Sequence, residues 1–230
     1  MRIRFVVWEV GPWGGVRAAF EIAEGLAIRG HDVRMVTLGG DYRWSKYTVP
    51  VDVIELRHGP SRLGRLALGL YGRFWLRSKD PLSHLNADGF AQAFGFHADQ
   101  VRALAGAIGD CDACVATWYP TALAVWIAGK GRPFYFMQDY PEQLEGMQDD
   151  YYPSLFKRTL ELPFFFLTNS RYTEELVLER QRGAKVRNVG VGVDARIFHP
   201  GRKIGDSTAK KVMVILKGAP FKGADVAIRT

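Results

Sequence analysis

Short, nearly unbroken apolar runs alternate along the chain with segments whose apolar residues recur every three or four positions. A strand buried on both faces reads as a continuous apolar run, and a half-buried helix reads as a stripe. The alternation predicts an α/β fold: a parallel sheet with helices on both faces. The first strand is expected over Ile3 to Val10, followed by the glycine-rich turn Gly11-Pro12-Trp13-Gly14-Gly15. A helix is expected from Val16 to Arg29. Val16, Ala19, Phe20, Ala23, Leu26 and Ala27 fall on one face of it, with Arg17, Glu21 and Glu24 off that face. Gly30 suits the left-handed residue that ends a helix, and Val33 to Leu38 reads as the next strand. Further strands are predicted at Val51–Leu56, Ala113–Thr117, Pro133–Gln138, Phe164–Thr168 and Lys185–Val189. Further helices are predicted at Phe96–Ile108, Thr121–Ala128, Ser154–Leu162 and Arg171–Arg182. Ser170 is the natural N-cap of the last, since its hydroxyl can accept from an orphan backbone N–H.

The pattern changes after residue 190. Residues 1–190 read as one domain and residues 191–211 as a linker without periodicity. Residues 212–230 read as the beginning of a second, incomplete domain: a strand at Val212–Leu216, a loop from Lys217 to Gly223 and a helix opening at Ala224. A lone strand cannot bury itself, so these last residues either pack on the first domain or belong to a domain that continues.

Composition narrows the class. With 47% hydrophobic and 24% charged residues in 230, the chain is globular and not disordered. No apolar run approaches the roughly 20 residues of a membrane-spanning helix. The opening MRIRFVVWEVG lacks the apolar region and small-residue cleavage site of a secretory signal. Two cysteines cannot staple a chain this long, so a reducing cytoplasm is the expected compartment. Lys plus Arg outnumber Asp plus Glu by 31 to 24, a net +7 that favours an anionic partner without choosing among nucleic acid, anionic lipid and a phosphate-bearing substrate.

The turn Gly11–Gly15 joins a buried strand to a helix, where α/β folds hold phosphates on free helix N–H groups. Its spacing is G-x-x-G-G, not the dinucleotide G-x-G-x-x-G, and Val36, Thr37 and Leu38 stand where a ribose-binding acid would end the next strand. Three readings stay open here: a plain tight turn, a dinucleotide site, and a phosphate or sugar contact, the last being favoured.

Four segments in order resemble one family. The run GGVRAAFEIAEGLAIRGHDVRMVT is similar to the opening signature of the retaining GT-B glycosyltransferases of the family 4 type, the large group that includes sucrose, glycogen and lipopolysaccharide sugar transferases. LTNSRYTEEL, NVGVGVDARIFHP and KGAPFKGADVAIR resemble that family's later segments. The first is its strand and S-x-x-T helix start, the second its interdomain N-G-V-D-x-x-x-F-x-P, and the third the first loop of its C-terminal domain. Gln138-Asp139 stands where many members carry a histidine, and the Q-D-Y run is similar to a rhamnosyltransferase-like subgroup.

The resemblance implies a Rossmann-like acceptor-binding domain and a second domain for the nucleotide sugar. The reaction would be sugar transfer to a glycan or lipid-linked acceptor with retention of configuration. It implies Gly14 and Gly15 against the donor diphosphate, Lys217 and Lys222 as phosphate ligands, and Gln138 and Asp139 as catalytic-region residues beside the reacting sugar. Lys217 departs from the family's Arg, a change from a fork to a point charge. It implies no metal and no cofactor beyond the nucleotide sugar as substrate. The family's paired glutamates would lie past Thr230, so the isolated chain is expected to be inactive.

Other clusters weigh less. From Arg57 to Lys79 the chain is basic, and on a helix Arg62, Arg65, Arg73 and Arg77 share one face while Leu63, Ala67, Leu70 and Phe74 share another. That pattern suits an anionic membrane surface, a charged acceptor headgroup or an ordinary solvated face. Trp118 and Tyr119 at a strand end suit either an acceptor-stacking platform or core packing. Cys111 and Cys114 lack the further ligands of a zinc site and read as buried structural thiols. The five histidines are scattered. Two rival readings are a non-catalytic membrane-peripheral or sugar-binding module on the same fold, and a nucleotide-cofactor dehydrogenase or epimerase. A nucleic-acid partner is not expected, since no recognised module appears.

Overall fold

The computed structural model describes residues 1–44, 46–54, 98–144, 151–199 and 224–229. The described strands are β1 (Arg2–Val7), β2 (Asp32–Thr37), β3 (Val51–Val53), β4 (Ala113–Ala116), β5 (Arg132–Met137), β6 (Phe165–Thr168) and β7 (Lys185–Asn188). They pair side by side in the order β3-β2-β1-β4-β5-β6-β7. All six pairings are parallel, with Val6 opposite Val36 on one side and Ala116 on the other. The helices are α1 (Gly14–Ile28), α2 (Ala98–Ala107), α3 (Tyr119–Ala128), α4 (Tyr151–Thr159) and α5 (Arg171–Arg180). The α/β Rossmann-like class expected from the sequence is the class observed.

Alternation along the strands decides what lies on each face. Ile3, Phe5, Val7, Met35 and Val115 pack with Ala19, Phe20 and Ala23 of α1. Val6, Val36, Cys114, Ala116, Tyr135 and Phe166 pack on the other side with Leu104 of α2, Leu123 of α3, Phe156 of α4 and Val177 of α5. Each fully buried aliphatic or aromatic side chain contributes roughly 1.5–3 kcal/mol of transfer free energy, which is what holds the helices on both faces. One polar residue interrupts β1: Arg4 is buried, and its guanidinium donates to the carbonyls of Ile3 and Asp32 and to the Asp32 carboxylate.

The element ends differ from expectation in informative ways. β1 stops at Val7, because β2 beside it stops at Thr37; Val10 then forms only an isolated bridge with Gly40. Helix α1 begins two residues early, at Gly14. Helix α3 begins at Tyr119, with Pro120 accommodated in the first turn, where its missing N–H costs nothing. Helix α4 begins at Tyr151, three residues before the expected Ser154, and ends at Thr159. β3 closes after three residues.

The chain divides into two units, Met1–Gly190 and Val191–Thr230. In the second unit, Asp194 holds the main-chain N–H and guanidinium of Arg196, and a short helix α6 spans Ala224–Arg229. The predicted strand at Val212–Leu216 lies outside the described residues.

Candidate functional site

The carboxyl ends of β1, β4, β5 and β6 lie side by side. The sheet's order reverses between β1 and β4, the position at which open α/β sheets leave a crevice for a ligand. Trp8 follows β1 there and Trp118 follows β4, with their rings edge to face at 6.1 Å. The position of Trp118 is fixed by its neighbours. Thr121 Oγ1 accepts from the main-chain N–H groups of Thr117 (3.0 Å) and Trp118 (2.9 Å), and Thr117 Oγ1 donates to the Val6 carbonyl at 2.9 Å. The Tyr119 ring meets that of Trp118 edge to face at 4.8 Å. Tyr119 is 4% exposed and stacks on Phe156, so it belongs to the core, and of this pair only Trp118 keeps surface at the sheet edge.

Helix α1 opens beside this crevice. Its N-cap is Trp13, in an extended conformation and without a side-chain cap, and no acidic residue occupies the first turn. The N–H groups of the first turn have no partner within a helix, and the helix dipole adds partial positive charge to them. A Cβ at Gly14 would meet nothing within 4 Å, so the space above that residue is open.

Gln138, the first residue after β5, reaches this turn across 123 residues of sequence. Its Nε2 donates to the Gly15 carbonyl at 3.0 Å. A Cβ on Gly15 would stand 3.3 Å from both Gln138 Nε2 and Oε1, tight enough to move the amide. Gly14, Gly15 and Gln138 therefore come together. The Gln138 carbonyl accepts in turn from Asn169 Nδ2 at 3.5 Å, and Asn169 Oδ1 accepts from Thr173 Oγ1 at 3.3 Å. Ser170 caps α5 as expected, accepting from the Thr173 N–H at 3.2 Å.

Asp139 is half-buried next to Gln138. It lies near the wholly buried Tyr135: burial chiefly, and then the Asp139 charge, pushes that phenol well above its ordinary range, so Tyr135 stays protonated. At the end of β2, Thr37 is buried and donates to the Gly39 carbonyl at 3.0 Å. Asp41 is held by both the main chain and guanidinium of Arg43, which lowers its carboxyl to about 2. The described end of β2 thus presents no free acid to a ribose.

Sequence reasoning missed Trp8, Trp13, Thr121 and Asn169 as parts of this edge. Trp8 was legible only as a strand residue, and Asn169 only as the neighbour of a cap. Lys217, Lys222, Arg62, Arg65, Arg73 and Arg77 lie outside the described residues. Cys111 and Cys114 are free and buried. Among the described residues no cluster of three or more His, Cys, Asp or Glu could hold a metal, and no helix is long and apolar enough to cross a membrane. A shallow hollow of about 440 Å³ on α5 is lined by Glu175, Leu178, Glu179 and Arg182; it lies away from this edge and its two carboxylates oppose an anion.

No protein-family profile matches the chain, and no curated protein matches it. Solved structures do. A sucrose-phosphate synthase from Thermosynechococcus elongatus superposes with a TM-score of 0.53 at 14% identity, over 86% of this chain and 50% of that one. The lipopolysaccharide outer core galactosyltransferase WaaB, in its apo form, gives 0.49 at 13% identity, over 84% and 46%. Phytolacca americana UGT2, complexed with UDP-2fluoro-glucose and pterostilbene, gives 0.41 at 12%, over 82% and 53%. The likeness is one of fold, and the chain spans about half the length of each of these structures.

Proposed function

We propose that this chain is the acceptor-side part of a glycosyltransferase of the GT-B type. It would move a sugar from a nucleotide-sugar donor to a glycan or lipid-linked acceptor with retention of configuration. The observation that carries the reading is the meeting of Gln138 with Gly15 at an uncapped, open helix start. Such a start suits a diphosphate, the group whose negative charge grows as the sugar leaves; donors aimed at that charge lower the barrier without a strong protein base. Gln138 holds the first turn in place and Asp139 accepts from a sugar hydroxyl. The leaving diphosphate takes the acceptor's proton. Lys217 and Lys222, as the family resemblance implies, would be phosphate ligands, and Trp118 with Trp8 borders the acceptor. The chemistry calls for no metal and no further cofactor. The reaction would run in the cytoplasm, with the basic residues Arg62, Arg65, Arg73 and Arg77 touching an anionic membrane surface or acceptor headgroup.

The test is calorimetric titration of the chain with pyrophosphate and NAD. Binding of pyrophosphate in preference to NAD is expected, together with no diphosphate release from nucleotide sugars by the isolated 230 residues. Preferential NAD binding would move the chain to the dehydrogenase and epimerase class. Turnover by the isolated chain would refute its role as one part of the enzyme.

A further inference from the structure

Trp13 is 52% exposed, although tryptophan is among the residues with most to gain from burial. Its ring lies against Gly11: a Cβ on Gly11 would come within 2.8 Å of Cζ3, 2.9 Å of Cη2 and 3.0 Å of Cε3. Gly11 is buried and does not take a left-handed conformation, so its backbone does not require glycine; the indole does. The six-membered ring of the Trp13 indole thus rests on the Gly11 main chain while about half of the residue stays exposed. Immediately after it, Gly14 has open space above it, and the uncapped first turn of α1 follows.

We propose that the outward face of the Trp13 indole is a stacking platform for a pyranose ring. The electron-rich face of an indole attracts the polarised C–H groups that line one side of a pyranose, and a pre-seated ring loses little freedom when it is covered. The ring's neighbour is the N-terminus of α1, so a sugar lying on Trp13 has hydrogen-bond donors at its edge. This rests on the reading of the sheet edge as a sugar-transfer site and adds a substrate contact to it. Donor sugar and acceptor sugar share the chemistry named here.

The experiment follows the indole Nε1–H resonance of Trp13, assigned as the signal missing from Trp13→Phe, in the 230-residue chain. The probes are methyl α-D-glucopyranoside, methyl α-D-mannopyranoside and methyl α-L-rhamnopyranoside, with cyclohexanol as the apolar control. At least one glycoside shifts the resonance and cyclohexanol does not. In calorimetric titration, which needs no indole signal, Trp13→Ala weakens that glycoside about three- to tenfold, the worth of one aromatic contact, and Trp13→Phe retains most of the affinity. Gly11→Ala keeps the indole but unseats it, so it behaves like Trp13→Ala; circular dichroism shows both variants folded. A resonance unmoved by every glycoside, an equal response to cyclohexanol, or wild-type affinity in Trp13→Ala would each overturn the proposal. Repeating the titration with UDP-glucose and GDP-mannose separates a donor from an acceptor sugar. Failure of pyrophosphate to bind wild type would overturn the glycosyltransferase reading while leaving a glycoside response at Trp13 intact.

Discussion

Gly14→Pro separates the proposed anion site from the stability of the helix that would make it. Gly14 is the first helical residue, so its N–H serves no helical hydrogen bond, and a proline there removes a donor the fold does not use. The site accepts the ring. Trp13 before it has φ −85° and ψ 145°, the extended conformation that a residue preceding proline prefers, and nothing lies within 4 Å of the new Cβ. Proline also restricts the unfolded chain, so stability should rise by about 0.5 kcal/mol or stay level. Binding should suffer. One hydrogen bond to a charged group is worth roughly 1.5–3 kcal/mol, which is about a 10- to 150-fold loss of affinity for pyrophosphate. Urea unfolding measures the first quantity and calorimetric titration with pyrophosphate the second. A variant as stable as wild type that binds pyrophosphate equally well would remove α1's first turn from the site. A loss of more than about 1 kcal/mol in stability would show instead that the Gly14 N–H already has a structural partner.

The Gln138–Gly15 brace should appear in a double-mutant cycle. Gly15→Ala and Gln138→Ala should couple by about 0.5–1 kcal/mol in urea unfolding, the lower range because a helical carbonyl also accepts within its own helix; strict additivity would deny the brace. Gly40→Ala should destabilise by about 2–4 kcal/mol in thermal unfolding, because φ is +109° there and the new Cβ would collide with the Val10 main chain; an unchanged melting temperature would contradict the Val10–Gly40 bridge. The Cys111 thiol is drawn down to about 7, first by its hydrogen bond with Cys114 and, against the opposing effect of burial, by the Arg4 and Arg2 charges; Cys114 is pushed up. Alkylation requires the thiolate, so the rate at Cys111 should climb through pH 7, below the ordinary thiol range near 8.5, with Cys114 modified only after unfolding; labelling of Cys114 first would reverse that assignment.

The sheet was legible because both its faces are covered. Phe5-Val6-Val7 and Val115-Ala116 read as apolar runs, and consecutive residues indeed enter opposite cores. The ends were less legible, because an apolar residue carries no record of whether its neighbour strand continues. Val10 looks like strand, yet β2 has already ended beside it. The helix expected from Thr121 starts two residues earlier, at Tyr119, because Pro120 fits its first turn. The candidate site divides the same way. Gly14 and Gly15 were visible locally, as a glycine pair at a strand-to-helix junction. The bond from Gln138 to Gly15 spans 123 positions and follows from topology: β1 pairs with β4, and β4 with β5. Gly11 was read as part of the same flexible turn, whereas its role is to seat an indole, which no spacing rule encodes.

The residues gathered at this edge also constrain the kind of chemistry it can do. Gln138 and Asn169 are amides that neither give up nor take a proton near neutral pH, and Tyr135 is held protonated. Gln138 is engaged with the Gly15 carbonyl, and Asn169 with the Gln138 carbonyl and the Thr173 hydroxyl. Groups committed in this way act by position. They fix the helix start and the strand end relative to each other, so that in the proposed site the N–H groups would meet an anion without rearrangement, which is the condition under which fixed dipoles lower a barrier most. Among the described residues of this edge, the carboxylates are Asp139, directly after Gln138, and Glu9, exposed in the segment between β1 and α1. A reaction whose leaving group carries its own negative charge and accepts the proton fits this arrangement better than one that needs a protein base, and that distinction is what favours phosphate-linked sugar transfer over hydride or proton abstraction on the same fold.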